Sequence, residues 1–154
     1  MTIDEITEFL ESLGGVLTLR PQPGDGSPEI SWGDRFFYYA PDGKVPSSQP
    51  FATVVTKNYP DEPHAGLDRS GAFRVNIAAG RTAFHVWTGR EPREPAADPV
   101  DPSVPDVVNA HPVYGHLGWL AVVDPGPRTA AVVQDLLRDA HYAARARYER
   151  RHAR

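Results

Sequence analysis

The chain has 154 residues, 40% of them apolar and 23% charged, with a formal net charge of −4; these values predict a folded domain with its own core, not a disordered segment. No run of about 18 apolar residues is present, so no membrane-spanning helix is expected. Cysteine is absent, which excludes a disulfide framework, a thiolate nucleophile, an iron–sulfur cluster and a cysteine zinc site.

Thr2-Ile3-Asp4-Glu5 reads as a capping box. Ile3, Ile6, Leu10 and Leu13 follow at helical spacing and Gly14-Gly15 supplies a stop, so a helix is predicted over 3–13. This acidic start differs from a basic-then-apolar leader, and a cytoplasmic protein is expected. Residues 16–19 form a short strand. Residues 29–32 and 35–39 read as two strands divided by Gly33-Asp34, a tight hairpin in this reading. Residues 51–57 are rich in β-branched side chains and predict a third long strand. In 72–77 the alternation places Phe73, Val75 and Ile77 on one face and Arg74 and Asn76 on the other. Residues 80–87 suggest a short helix stopped by Gly89, and 118–123 a buried strand. The long final helix should begin near Pro127 or Arg128, with Val133, Leu137, Ala140, Ala144 and Tyr148 as its apolar stripe.

Between them, 90–112 holds six prolines and is expected to be a long extended loop. The order predicts one α+β domain over 1–154: a mostly antiparallel sheet with the N- and C-terminal helices packed on one face.

Charge is unevenly spread. Arg138, Arg145, Arg147, Arg150, Arg151 and Arg154 crowd the end, opposed there only by Asp139 and Glu149. The last two helical turns, about 146–154, are expected to leave the body as a basic projection. The remainder is acidic and would repel a duplex, so nucleic acid is an unlikely partner. The oligomeric state is left open.

Residues 80–119 and the central strands hold the candidate chemistry. His111, Tyr114, His116 and Trp119 lie within nine residues where the loop rejoins the sheet. A metal there would need a third ligand such as His64, His85 or Asp106, and two histidines five apart form no specific ligand pattern. Phosphate-loop, dinucleotide and nucleophile-elbow motifs are also missing, so no metal or cofactor is predicted. His111, His116 and Tyr114 are candidate acid–base or orienting groups. Arg74 and Asn76, joined by Lys57, could hold a carboxylate or phosphate; the alternative is a solvated face or an ion pair with Asp34 or Asp61. Tyr38 and Trp119 complete the ligand-binding candidates. Alternation also forces two of Phe36 to Tyr39 onto the second sheet face, where cover by the Pro-rich loop is favoured over a pocket.

These residues resemble the uncharacterised bacterial family DUF6194. The resemblance runs along nearly the whole chain: 2–9, Gly33 to Tyr39, Gln49 to Thr53, Phe73 to Ile77, His111 to Gly115, and Ala140-His141 with the Arg-rich end. Gly118-Trp119-Leu120-Ala121-Val122, followed by a turn and a helix, is more distantly similar to the MmcQ/YjbR-like group. That likeness implies helices against an antiparallel sheet and a suggested DNA-binding role, from which the acidic body departs. The Arg-rich, Lys-poor composition fits an actinobacterial source.

Three functions follow, in order. The first is a small-ligand-binding domain with a pocket between the sheet face of Arg74 and Asn76 and the Pro-rich loop. The second is a cofactor-free enzyme using His111 or His116 as proton shuttle. The third is an interaction module, docking an acidic partner or nucleic acid through the Arg-rich helix end.

Overall fold

The computed structural model describes every residue except Pro99 and Arg154, so the last arginine of the basic end lies outside the described residues. Helix α1 (Ile3–Ser12) opens with the capping box in place: Glu5 N donates to Thr2 Oγ1 and Thr2 N to Glu5 Oε1, each at 3.1 Å. Six strands follow in one antiparallel sheet of order β1-β2-β3-β4-β6-β5. They are β1 (Val16–Leu19), β2 (Arg35–Tyr39), β3 (Ala52–Val55), β4 (Arg74–Ala78), β5 (Asn109–Ala110) and β6 (Trp119–Val123). Helix α2 (Arg81–Thr88) links β4 to the Pro-rich segment and ends at the left-handed Gly89, and α3 (Ala130–His152) closes the chain.

The sheet's two faces have different fates. Phe37, Ala52, Val54, Val75, Ile77, Leu120 and Val122 join Ile6 and Leu10 of α1, Phe84 of α2, and Val133 and Leu137 of α3 in one core. The terminal helices thus cover a single face, as their apolar stripes predict. Among the described residues no α-helix packs on the opposite face, which carries Phe36, Tyr38, Thr53, Arg74 and Asn76. Loops cover it only in part, through a small cluster of Val55, Ala65, Leu67, Ala72 and Val123.

Four expectations are corrected. Residues 29–32 are not a strand: Glu29–Ser31 is a single 3-10 turn, with Trp32 N bonded to Glu29 O at 3.0 Å. Ile30 stays 42% exposed, so no apolar surface rewards an extended conformation there. Gly33-Asp34 therefore makes no hairpin, and β2 pairs with β1 and β3 instead. The third strand is also shorter than 51–57, because after Val55 the chain turns to bond Asp34. Finally, the end of α3 does not leave the body so early. Half-buried Tyr148 meets Tyr39 edge-on, with centroids 5.3 Å apart, and the turn carrying Arg147 stays beside the sheet.

The Pro-rich segment ends in a device of its own. Asp106, at φ 57°, accepts from Gly126 N at 2.8 Å, Arg128 N at 3.0 Å, Thr129 N at 3.0 Å and Thr129 Oγ1 at 2.6 Å. One carboxylate thus satisfies the amides leading into α3, where Thr129 itself makes no side-chain cap. The Thr129 hydroxyl, ahead of the backbone amides, holds the Asp106 carboxyl down at about 2. A carboxyl lowered by folding stabilises the fold above its unfolded value near 4, and that contribution fades as pH falls toward about 2. Asp106→Ala is expected to melt several degrees below wild type at neutral pH, with the gap closing in acid. Equal melting temperatures at pH 7 would contradict the cap.

Candidate functional site

Strand alternation builds a cleft on the uncovered sheet face. Register sets Phe36 beside Thr53, and Thr53 beside Asn76. Phe36 and Tyr38 of β2, Thr53 of β3, Arg74 and Asn76 of β4, and Trp119 of β6 all line it. Tyr59 and Glu62 enter from the loop before β4, and His111, Tyr114 and Leu117 from the segment before β6. The space is about 380 Å³. Its walls are largely aromatic and its floor is polar, a composition suited to a small organic molecule.

The floor is a connected chain of side chains. Asn76 Nδ2 donates to Thr53 Oγ1 at 2.9 Å, and Asn76 Oδ1 accepts from Arg74 Nε at 2.8 Å. Arg74 Nη2 donates to Glu62 Oε1 at 2.9 Å and lies 3.3 Å from His111 Nε2. Arg74, Asn76 and His111 are only 3%, 2% and 4% exposed. Burying three such groups in one row is costly unless each is paired.

His111 has a defined protonation state. Its Nδ1 accepts from Val113 N at 3.1 Å and Tyr114 N at 3.0 Å, so that nitrogen carries no proton. The neutral ring then bears its hydrogen on Nε2. Burial, and then the adjacent Arg74 guanidinium, push the imidazole down to about 3, so it remains uncharged at neutral pH. A ring with its only lone pair bound to backbone amides is a hydrogen-bond donor rather than a proton shuttle.

A second polar knot positions the roof. The Asp34 carboxylate is fully buried and accepts from Thr56 N at 2.9 Å, Thr56 Oγ1 at 2.9 Å, Lys57 Nζ at 2.7 Å and the Tyr59 hydroxyl. Burial first, and then this bond to Asp34, raise the Tyr59 phenol well above its ordinary value, so it stays protonated and donating. Tyr59 is thereby held against the cleft three residues before Glu62.

Six residues singled out in the sequence meet here: Arg74, Asn76, His111, Tyr114, Trp119 and Tyr38. Two do not. Lys57 is committed to Asp34 and to Trp32 O at 3.0 Å, and His116 is exposed, its Nδ1 3.0 Å from Val113 O. With Lys57 elsewhere and Arg74 neutralised by Glu62, the three-residue anion clamp is not assembled. Phe36 and Tyr38 line the cleft instead of lying under the Pro-rich loop. Among the described residues that loop reaches the cleft through His111; about half of it, including His111, borders a separate cavity of about 700 Å³ beside the end of α2. Glu62, Thr53 and Tyr59 escaped the sequence reading. Thr53 was open to it, since it shares the strand alternation that places Asn76.

The suggested third metal ligands lie apart from this pair. Asp106 caps α3, His64 pairs with Asn58 at 3.0 Å, and His85 is on α2. Among the described residues no group of three or more His, Asp or Glu could hold a metal ion, and no helix is long and apolar enough to cross a membrane.

Gly118 sets the angle at which the Tyr114 segment meets Trp119. It has φ 88°, and a Cβ there would lie 3.2 Å from the Gly80 backbone carbon. Gly118→Ala combines a left-handed L-residue with a tight contact on the Gly80 backbone, and the fold should lose about 1–2 kcal/mol of stability. Urea unfolding measures this, and an unchanged midpoint would contradict it.

A family model described as a family of unknown function, DUF6194, matches residues 1–153. No curated protein and no solved structure matches the chain.

Proposed function

The chain belongs to the DUF6194 family, and we propose that its function is to bind a small organic molecule in the cleft on the uncovered sheet face. The observation that carries this reading is the row from half-buried Thr53 through buried Asn76, Arg74 and His111, which ends facing open space between aromatic walls. A core needs no such row, and a ligand that completes its hydrogen bonds gives it a use. The cavity beside α2 is larger, but among the described residues lining it His111 is the only buried polar side chain, and Pro and Ala make up much of its wall.

The acid–base enzyme reading is weaker. His111 is held as a neutral donor and His116 lies outside the cleft, so neither is placed to move a proton. Docking through the helix end has one observation in its favour: Arg138 and Arg145 pair with Asp135 and Glu149, whereas Arg147, Arg150 and Arg151 have no acidic partner among the described residues. Removing 146–154 and measuring binding to an acidic peptide and to DNA tests it. A cytoplasmic setting, an actinobacterial source and YjbR-like kinship fit the ligand-binding reading but do not carry it.

The test is a fragment screen by amide NMR. Ligand-dependent shifts should cluster at Thr53, Asn76, Tyr114 and Trp119. Shifts confined to 87–112, or to the arginines of α3, would place binding elsewhere.

A further inference from the structure

The geometry points to an uncharged planar molecule that presents a carbonyl oxygen to His111 Nε2 and Arg74; this rests on the ligand-binding reading above and specifies its chemistry.

The argument begins with a mismatch. Two backbone amides fix Nδ1 of His111 as an acceptor, which leaves the hydrogen on Nε2. Nε2 faces the Nη2 of Arg74 at 3.3 Å, and Nη2 is a donor as well. Two donors thus converge with no acceptor between them among the described residues. His111 is 4% exposed, and a largely buried donor without a protein acceptor is costly. One oxygen with two lone pairs, entering from the cleft, would satisfy His111 and Arg74 together.

Charge decides which oxygen. The cleft holds one guanidinium and two carboxylates, Glu62 and Asp61, and Glu62 Oε1 already sits 2.9 Å from Arg74 Nη2. A ligand carboxylate or phosphate would have to approach beside Glu62 without a further cation to offset it. A carbonyl of an amide, lactam or ketone accepts equally well and brings no charge. Shape gives the remainder: Phe36, Tyr38, Tyr114 and Trp119 offer aromatic faces and edges to a flat apolar body.

Three probes of similar size separate the possibilities: 1-indanone, with a carbonyl; indole, with none; and indole-2-carboxylate, with an anion. Each is titrated into the isotope-labelled full chain, with cleft amides and the His111 ring nitrogens followed by NMR. 1-Indanone should bind about tenfold more tightly than indole, the scale of one well-formed hydrogen bond. Indole-2-carboxylate should bind most weakly to wild type and gain affinity in Glu62→Gln, where Arg74 is released. The His111 spectrum should show hydrogen on Nε2, and that nitrogen should shift with 1-indanone. Equal binding of 1-indanone and indole, preference of wild type for the carboxylate, or a hydrogen on Nδ1 would overturn the carbonyl inference while leaving ligand binding standing. No cleft response to any of the three would overturn both.

Discussion

Asp34→Ala is expected to destabilise the protein by about 3–5 kcal/mol, the range for breaking a buried ion pair by removing one partner. Asp34 is fully buried and serves four donors on the segment after β3: Thr56 N, Thr56 Oγ1, Lys57 Nζ and the Tyr59 hydroxyl. Without the carboxylate the Thr56 amide and the Tyr59 hydroxyl lose their acceptor together. Lys57 suffers less, because its side chain is 29% exposed and can turn to water. Lys57→Met should accordingly be milder than Asp34→Ala, since Asp34 keeps its other donors. Asp34→Ala also reaches the cleft: Tyr59 loses its tether, and the loop bearing Glu62 loosens above Arg74. Chemical unfolding gives the stability, and a loss below about 1 kcal/mol would contradict the role assigned to Asp34.

Acidification should weaken the fold through His111 well before most carboxylates titrate. The unfolded ring takes up a proton near pH 6.5, whereas in the folded state burial and Arg74 hold it down to about 3. Between those values the unfolded chain binds more protons, so stability is fully present above about 6.5 and falls as pH drops toward 3. The groups around the ring sustain this. Arg74 opposes a positive imidazole, the Val113 and Tyr114 amides point their hydrogens at Nδ1, and Glu62 is engaged with Arg74. The loss amounts to a few kcal/mol on the scale of 1.36 kcal/mol per pKa unit. Unfolding followed from pH 7 to pH 4 should show this decline, and His111→Gln should flatten it even if its stability at pH 7 is lower. A slope unchanged by the substitution would assign the acid response to other groups.

How far the site was legible depended on whether local pattern or long-range contact set each position. The Thr2 and Glu5 capping box needs only the first turn of α1, and it forms as the sequence predicts. The alternation of 72–77 likewise placed Arg74 and Asn76 opposite the core, because strand geometry leaves no choice. Residues 29–32 misled because four alternating residues fit a 3-10 turn as well as a strand, and no core lies beneath Ile30 to decide the matter. Glu62 was illegible for a different reason. It sits in an irregular loop whose path is set by Asp34, 28 positions away, and no spacing announces such a contact. Asp106 belongs with it: in sequence it is one acid among prolines, and its role appears only when the turn before α3 meets it.

The most direct test of the cleft as the functional site is a crystal structure of the protein soaked with a cocktail of small neutral aromatic carbonyl compounds. Density should fill the space between Tyr38, Trp119 and Arg74, with an oxygen within hydrogen-bond reach of His111 Nε2. Density only in the cavity beside α2, or a cleft left with solvent while other sites fill, would contradict the account.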